Sequence, residues 1–279
     1  MSLLQISDLR VGFPGRGWRA KPVEVLHGVS LDVGEGETLG LVGESGSGKT
    51  TIGRAVLGLV KPSGGRIAFD GEDITAVGTR ERRRLARDIQ VVFQDPYTSL
   101  NPSLTVGDIL AEPLVVQGAT AKDAWARVRT LLDQVGLPAD AAERLPREFS
   151  GGQRQRVAIA RALAPEPKLI VCDEPVSALD LSTQERVLDL FIDIQRSTGV
   201  AYLFISHDLT VVRHISHRVA VLYRGDLVET GPAALVTSDP EHDYTRRLLL
   251  ASPVADPVVQ QQRREERRKL VAAEKVVTA

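Results

Sequence analysis

The chain has a single cysteine, Cys172, among 279 residues. That excludes a disulfide framework, and it excludes a zinc site or iron–sulfur cluster held by the thiolates of this chain alone. The neighbours Leu169, Ile170 and Val171 place Cys172 in a buried strand, where a thiol acts as a small hydrophobe. No uncharged apolar run approaches the roughly 20 residues that a membrane helix needs, so a membrane connection has to come through a partner. An excess of one charge is lacking too: 35 Lys and Arg stand against 36 Asp and Glu, a formal net charge of −1. With a pI near 6.5, no overall field favours nucleic acid. The first residues, Met1-Ser2-Leu3-Leu4-Gln5-Ile6-Ser7-Asp8, show no basic stretch followed by an apolar core, so no signal peptide is expected. The length leaves room for one large α/β domain with an inserted or appended subdomain.

What the chain does have is a glycine-rich stretch, Gly43-Glu44-Ser45-Gly46-Ser47-Gly48-Lys49-Thr50-Thr51. The apolar run Leu39-Gly40-Leu41-Val42 precedes it, and Ile52, Ala55, Val56 and Leu59 follow at helical spacing. The whole reads strand, loop, helix. A triphosphate needs such a loop on physical grounds. Glycines let the backbone curl closely enough for successive N–H groups to converge on an anion. The helix that follows adds the positive end of its dipole. Lys49 is placed to reach the β- and γ-phosphates, and the Thr50 hydroxyl to ligate Mg²⁺. The competing explanation is a chance glycine-rich turn, which the flanking strand and helix argue against.

Residues 1–37 read as short strands and turns: Leu4, Ile6 and Leu9, then Val25, Val29, Leu31 and Val33, the last three alternating as in a half-buried strand. Between them lie two aromatics, Phe13 and Trp18. Phe13 is the first candidate to stack on an adenine ring and Trp18 the reserve; the alternative is an aromatic covering a sheet edge. After the loop, Ile67, Gly71 and Ile74 suggest a second strand pair beyond the turn Pro62-Ser63-Gly64-Gly65. The basic run at 80–87, beside Glu81 and Asp88, reads as a solvated helix face rather than a nucleic-acid patch. Val91-Val92-Phe93 is a short buried strand ending at Gln94.

Residues 95–165 differ in character. A turn-rich opening at 95–102 leads to a helix capped by Thr120 with Asp123, with an apolar stripe of Trp125, Val128, Leu132 and Val135. An inserted, mostly helical subdomain is expected. It ends in Ser150-Gly151-Gly152-Gln153, which opens a helix to Ala164 that is apolar nearly all round and therefore buried.

Residues 169–172 read as a central parallel strand with Asp173 and Glu174 at its C-terminal end. Asp173 is placed to hold Mg²⁺ through water, and Glu174 to orient and deprotonate an attacking water. Adjacent side chains on a strand point to opposite faces, so the turn at Pro175 has to aim both into one site. Without the phosphate loop, a solvent-facing acidic pair would be the preferred reading. Ser182 and Glu185 read as the capping box of a helix with Val187, Phe191 and Ile194 inward. A further buried strand at 201–205 ends at Ser206-His207-Asp208. Gln94 and His207, both at strand ends, lie within reach of the γ-phosphate region; a lone histidine could equally be structural. Strands alternating with helices, with polar chemistry at strand ends, predict a mostly parallel α/β sheet whose ligand lies outside the strands' carboxyl ends. Beyond Gly231-Pro232 come a short tail helix and a charged segment, 260–279, with no assigned chemistry.

Taken in order, Gly43 to Thr50, Gln94, Ser150-Gly151-Gly152-Gln153, 169–174, Ser177-Ala178-Leu179-Asp180 and His207 resemble the ATP-binding cassette family motif for motif. The segments 92–102 and 171–180 narrow the resemblance to oligopeptide and dipeptide importer ATPases, and 204–215 to their F-type subunit. It covers roughly residues 3–253. The implied fold is a P-loop NTPase core with a mostly parallel sheet, an N-terminal antiparallel β subdomain and an inserted α-helical subdomain. The cassette would span 1–235, with the insertion at about 95–165 and an extension at 236–279. The resemblance implies ATP held by the 43–51 loop with Phe13 on the adenine, and Mg²⁺ near Thr50, Gln94 and Asp173. Glu174, His207 and Gln94 would be catalytic. Ser150 to Gln153 would contact the ATP of a partner ATPase head to tail, with Asp180 in the adjoining D-loop.

The implied partners are a second ATPase subunit, identical or not, two membrane permease subunits and, indirectly, an external solute-binding protein, with no nucleic acid. The implied location is the cytoplasmic face of the cell membrane, and the implied activity is ATP hydrolysis driving uptake of peptides or related solutes. The alternative is a soluble cassette ATPase acting on DNA or the ribosome, but zinc fingers, long coiled-coil insertions and a second cassette are absent. A simple P-loop kinase would leave Ser150 to Gln153 without a role. Two departures stand out: the family's C-terminal His-Pro-Tyr reads His242-Asp243-Tyr244 here, and the cysteine cluster of some relatives is missing.

Overall fold

The structure is a computed structural model that describes residues 2–15, 23–95, 99–251 and Gln261. Trp18, Pro96, Tyr97, Thr98 and nearly all of the charged tail lie outside the described residues.

Two sheets organise the chain. The first is antiparallel and holds β1 (Ser2–Phe13), β2 (Val23–Gly34), β4 (Gly64–Phe69) and β5 (Glu72–Asp73) in the order β2-β1-β4-β5. Along β1 the buried side chains shift from Leu4 and Ile6 to Leu9 and Val11. That change of phase would turn the second pair outward in a regular strand. A register slip between Ile6 and Leu9, with Asp8 at φ 49°, absorbs it.

The second sheet follows the order β10-β9-β3-β8-β7-β6. Its strands are β3 (Thr38–Val42), β6 (Ile89–Val92), β7 (Leu169–Asp173), β8 (Ala201–Ser206), β9 (Arg218–Tyr223) and β10 (Asp226–Pro232). All neighbours are parallel except β10 on β9. β3 and β8 are buried throughout, as strands covered on both faces are. β9 and β10, over 218–232, add to the expected sheet.

The helices are α1 (Lys49–Val56), α2 (Thr79–Asp88), α3 (Val106–Val116), α4 (Ala121–Gln134), α5 (Gly151–Leu163), α6 (Leu181–Thr198), α7 (Leu209–Ile215), α8 (Ala233–Val236) and α9 (Asp243–Ala251). β6 pairs directly with β7, so everything from Phe93 to Lys168, including α3 to α5, is inserted between adjacent strands. One core lies between the antiparallel sheet and the near face of the parallel sheet, with α1 inside it. A second joins the far face to α3, α4, α5 and α6.

Local chemistry corrects two details. On α4 the Thr120 hydroxyl accepts the Asp123 N–H at 3.2 Å as expected, and Val128, Leu132 and Val135 are buried as expected, but Ala124 and Leu131 complete the buried face in place of Trp125. Trp125 is 37% exposed. Its ring lies over Gly107, where a Cβ would come within 2.4 Å of Trp125 Cη2. On α6 the cap is Asp180 rather than Ser182: its carboxylate accepts the Thr183 N–H at 3.0 Å and the Ser182 hydroxyl at 2.8 Å. A carboxylate at this position meets both the free N–H groups and the helix dipole, so Ser182 falls one residue inside the helix. α2 is solvated on most sides, with Leu85 as its buried residue. Arg82 is its exception, donating to the carbonyls of Val56 and Ile74.

Candidate functional site

The strand order makes β3, β8 and β7 neighbours, so residues that follow their C-terminal ends gather at one edge. β3 runs straight into the glycine loop. A Cβ on Gly43 would fall 2.1 Å from the Leu222 carbonyl oxygen, and one on Gly48 2.6 Å from Leu26 Cδ2. Leu222 belongs to β9 and Leu26 to β2, so both sheets press on the loop and leave space only for glycine. The turn between β9 and β10 adds a clasp, with Gly225 N–H donating to the Ser47 carbonyl at 3.0 Å. Glu44, Ser45 and Gly46 stay exposed.

Lys49 is 4% exposed. Its ammonium donates to the Gly43 carbonyl at 2.7 Å and to the Glu44 carbonyl at 2.8 Å. Burial pulls its pKa down, and the nearby carboxylates of Glu174, Asp173 and Glu44 push back. Next to it, the Thr50 hydroxyl donates to Asp173 Oδ1 at 2.9 Å. Burial raises the Asp173 carboxyl, against the lowering effect of that hydrogen bond. A hydroxyl beside a carboxylate is a pair of hard oxygens suited to Mg²⁺, with phosphate and water oxygens left to complete the shell. Ser47 Oγ is buried without a hydrogen-bond partner, an orphaned donor at the loop itself. These groups fit a metal–phosphate ligand.

Glu174 breaks the alternation of β7. Its backbone turns left-handed at φ 49°, its N–H donates to the Ile205 carbonyl at 3.0 Å, and its own carbonyl accepts the Ser177 hydroxyl at 3.1 Å. Glu174 Oε2 then lies 3.0 Å from His207 Nδ1. An ionised carboxylate only accepts, so Nδ1 carries the proton of this pair. A lysine, two acidic side chains and a histidine thus converge beside the glycine loop.

Other sequence candidates are not drawn into this cluster. Gln94 is exposed, lies beyond the end of β6, and makes no hydrogen bond to Thr50 or Asp173. Phe13 is 40% exposed at the open end of β1, opposite Val23; on the same hairpin Val25 approaches Gly48 and Gly225. Ser150 caps α5 and exchanges hydrogen bonds with Gln153, at 3.3 Å from the Gln153 N–H and 3.0 Å to Gln153 Oε1. No hydrogen bond joins residues 150–153 to residues 43–51 among the described residues. Instead they pack on the start of α6: a Cβ on Gly152 would lie 2.3 Å from Thr183 Cγ2, and one on Gly151 3.7 Å from Leu179 Cδ2. Asp180, exposed there, has its carboxyl pushed down to about 2, first by its hydrogen bonds from Thr183 and Ser182.

The sequence reading gave Tyr244 no role at the site. The structure brings its hydroxyl to the Glu44 N–H at 2.7 Å, across 200 positions of sequence. Nothing local in the sequence signals that contact.

A family model described as ABC transporter matches residues 26–177. The glutathione import ATP-binding protein GsiA of Escherichia coli (strain K12) is 53% identical over 260 residues, covering 91% of this chain and 42% of that protein. GsiA of Shigella dysenteriae serotype 1 is 55% identical over 251 residues, covering 90% and 40%. The chain therefore spans about two-fifths of the length of these curated relatives. Among solved structures, it is similar to a dimeric post-hydrolysis state of the ATP-binding cassette MJ0796 bound to ADP and Pi, with TM-score 0.74 and 29% identity over 82% of this chain and 98% of that one. It is also similar to cbiO1 from Clostridium perfringens, part of the ABC transporter complex cbiONQ, with TM-score 0.76 and 26% identity over 88% and 95%.

Proposed function

The chain belongs to the ABC transporter family, and from that premise we propose that it is the ATP-hydrolysing subunit of an importer that moves peptides or related solutes across the cytoplasmic membrane. The observation that carries the reading is the paired contact at neighbouring strand ends, Thr50 to Asp173 and Glu174 to His207, beside the glycine loop. Relatives named for import of glutathione, itself a small peptide, support the peptide class. They leave the DNA- or ribosome-acting alternative without support. No helix among the described residues is long and apolar enough to cross a membrane, so contact with the membrane would run through permease subunits.

In this reading the loop N–H groups and Lys49 bind the phosphates of ATP. Phosphate oxygens offset the cost of burying the ammonium, which favours its charged form. Thr50, Asp173 and Gln94 would hold Mg²⁺, which would neutralise charge on the phosphates. Glu174 accepts a proton from the attacking water, and His207 holds the Glu174 carboxylate through Nδ1–H. Phe13 supplies a stacking face for adenine. Ser150, Gly151, Gly152 and Gln153 complete the site of a partner cassette, with Asp180 beside them. The dimeric state of a similar cassette supports that arrangement.

Replacing Glu174 tests the reading. Glu174→Gln should lower phosphate release on the order of 10²-fold or more, the usual scale for a lost general base, while keeping Mg-ATP binding. With its counterpart supplied, the variant saturated with Mg-ATP should sediment as a two-cassette particle. Undiminished turnover, or a particle that stays monomeric, would overturn the proposal.

A further inference from the structure

Beyond these assignments, we infer that Tyr244, in the C-terminal segment outside the matched family model, positions Lys49 by holding one peptide plane of the phosphate loop. The inference rests on the ATP-binding reading of that loop and deepens it.

The Gly43–Glu44 peptide makes two contacts, one at each end of its plane. Its N–H donates to Tyr244 Oη at 2.7 Å. Its carbonyl, on Gly43, accepts the Lys49 ammonium at 2.7 Å. A trans peptide is planar, with its N–H and C=O pointing in opposite directions, and no cis peptide occurs among the described residues. The two contacts are therefore coupled: holding the N–H toward Tyr244 aims the carbonyl toward Lys49. Gly43 has no side chain to resist rotation of this plane, so the Tyr244 contact adds an orienting point to the confinement by the Leu222 carbonyl.

Tyr244 is built as an anchor. It is 2% exposed, its ring lies 4.2 Å from that of Tyr223 with a 31° tilt, and the Arg247 guanidinium sits 5.7 Å from its centroid. Tyr223 is the last residue of β9, the strand whose Leu222 carbonyl presses on Gly43. The hydroxyl is thus fixed relative to the same backbone that confines the loop. Just after Tyr244, Thr245 is fully buried, so the start of α9 is rooted rather than draped on the surface.

Tyr244 touches neither nucleotide nor reacting atoms in this account; it is a positioning residue acting through the peptide plane on Lys49. Tyr244→Phe keeps the ring and its packing on Tyr223 and removes only the acceptor, so the variant should fold. Binding of a fluorescent Mg-ATP analogue should weaken about threefold to tenfold, the scale of one net hydrogen bond. KM for ATP should rise by the same factor, with kcat and the thermal midpoint nearly unchanged. In a Lys49→Ala background the same substitution should have no further effect on binding, because the residue it acts through is gone. Tyr244→Phe binding as tightly as the unaltered chain, or weakening it equally without Lys49, would overturn the inference while leaving the ATPase reading intact. Failure of the unaltered chain to bind Mg-ATP would overturn both.

Discussion

Two helix starts in this chain carry glycines and free backbone N–H groups, and they are built in opposite ways. Before α1 the loop is pressed between β2 and β9, clasped by Gly225 and backed by Tyr244. Its lysine is buried and its threonine already paired with Asp173. Before α5, by contrast, Ser150 is exposed and its side-chain partner is Gln153 of the same turn. Both ends can receive an anion, because a helix N-terminus offers unpaired donors. One is assembled from four distant parts of its own chain. The other is prepared by packing on α6 and left facing outward, as a half-site awaiting a second cassette would be.

Damaging each end separately should break this contrast if it is wrong. Gly152→Val drives a side chain into Thr183 and should displace the outward half-site. Phosphate release by the assembled pair should fall on the order of 10²-fold, the scale of an ångström misplacement, while the lone chain binds Mg-ATP as before. Weakened binding by the lone chain would place residues 150–153 in its own site and end the distinction. Lys49→Ala should do the reverse, weakening Mg-ATP binding by the lone chain about tenfold to a hundredfold, as expected for a lost charge-assisted hydrogen bond. Both variants are read by titration with a fluorescent nucleotide alongside a phosphate-release assay.

The inserted helices sharpen the comparison in terms of stability. Leu131 is fully buried in α4, and Leu131→Ala should cost about 2–5 kcal/mol in urea unfolding. Nucleotide binding by the folded fraction should be retained, since the loop draws its support from the sheets. The smallest expected effect concerns Asp180. Its carboxyl lies at about 2 when folded, below the ordinary value near 3.9. Its contribution is therefore complete above about pH 4 and lost as pH falls toward 2. Asp180→Asn should flatten that acid limb of the stability profile, lowering stability modestly at neutral pH where the charged cap is intact and changing little near pH 2.

Much of the fold could be read along the chain because its signals are local. The glycine loop between an apolar run and an amphipathic helix, the buried strand before Asp173 and the Thr120 cap all depend on neighbours within one or two turns. The change of character over 95–165 and the alternation of strands with helices pointed to the helical insertion and the parallel sheet, and the structure has both. Where the reading slipped, a competing contact had won. Trp125 fits an apolar stripe by spacing, yet its size suits the surface over Gly107. Ser182 has the capping sequence, but Asp180 offers the N–H groups a charged acceptor. β9 and β10 went unread although Val219, Ala220, Val221 and Leu222 are all fully buried. Gln94, legible by resemblance, makes no hydrogen bond to Thr50 or Asp173 among the described residues.

By itself, the order of residues determined which groups can bind phosphate, which can carry a proton, and which helix starts are available to an anion. Those are properties of side-chain type and short spacing. Only the folded chain decided that Asp173 meets Thr50, that Glu174 turns back to His207, and that Tyr244 reaches Glu44. Each of these pairs is separated by tens to hundreds of positions. What joins them is the lateral order of β3, β8, β7 and β9, set by long-range strand pairing and burial on both faces rather than by any neighbour in sequence.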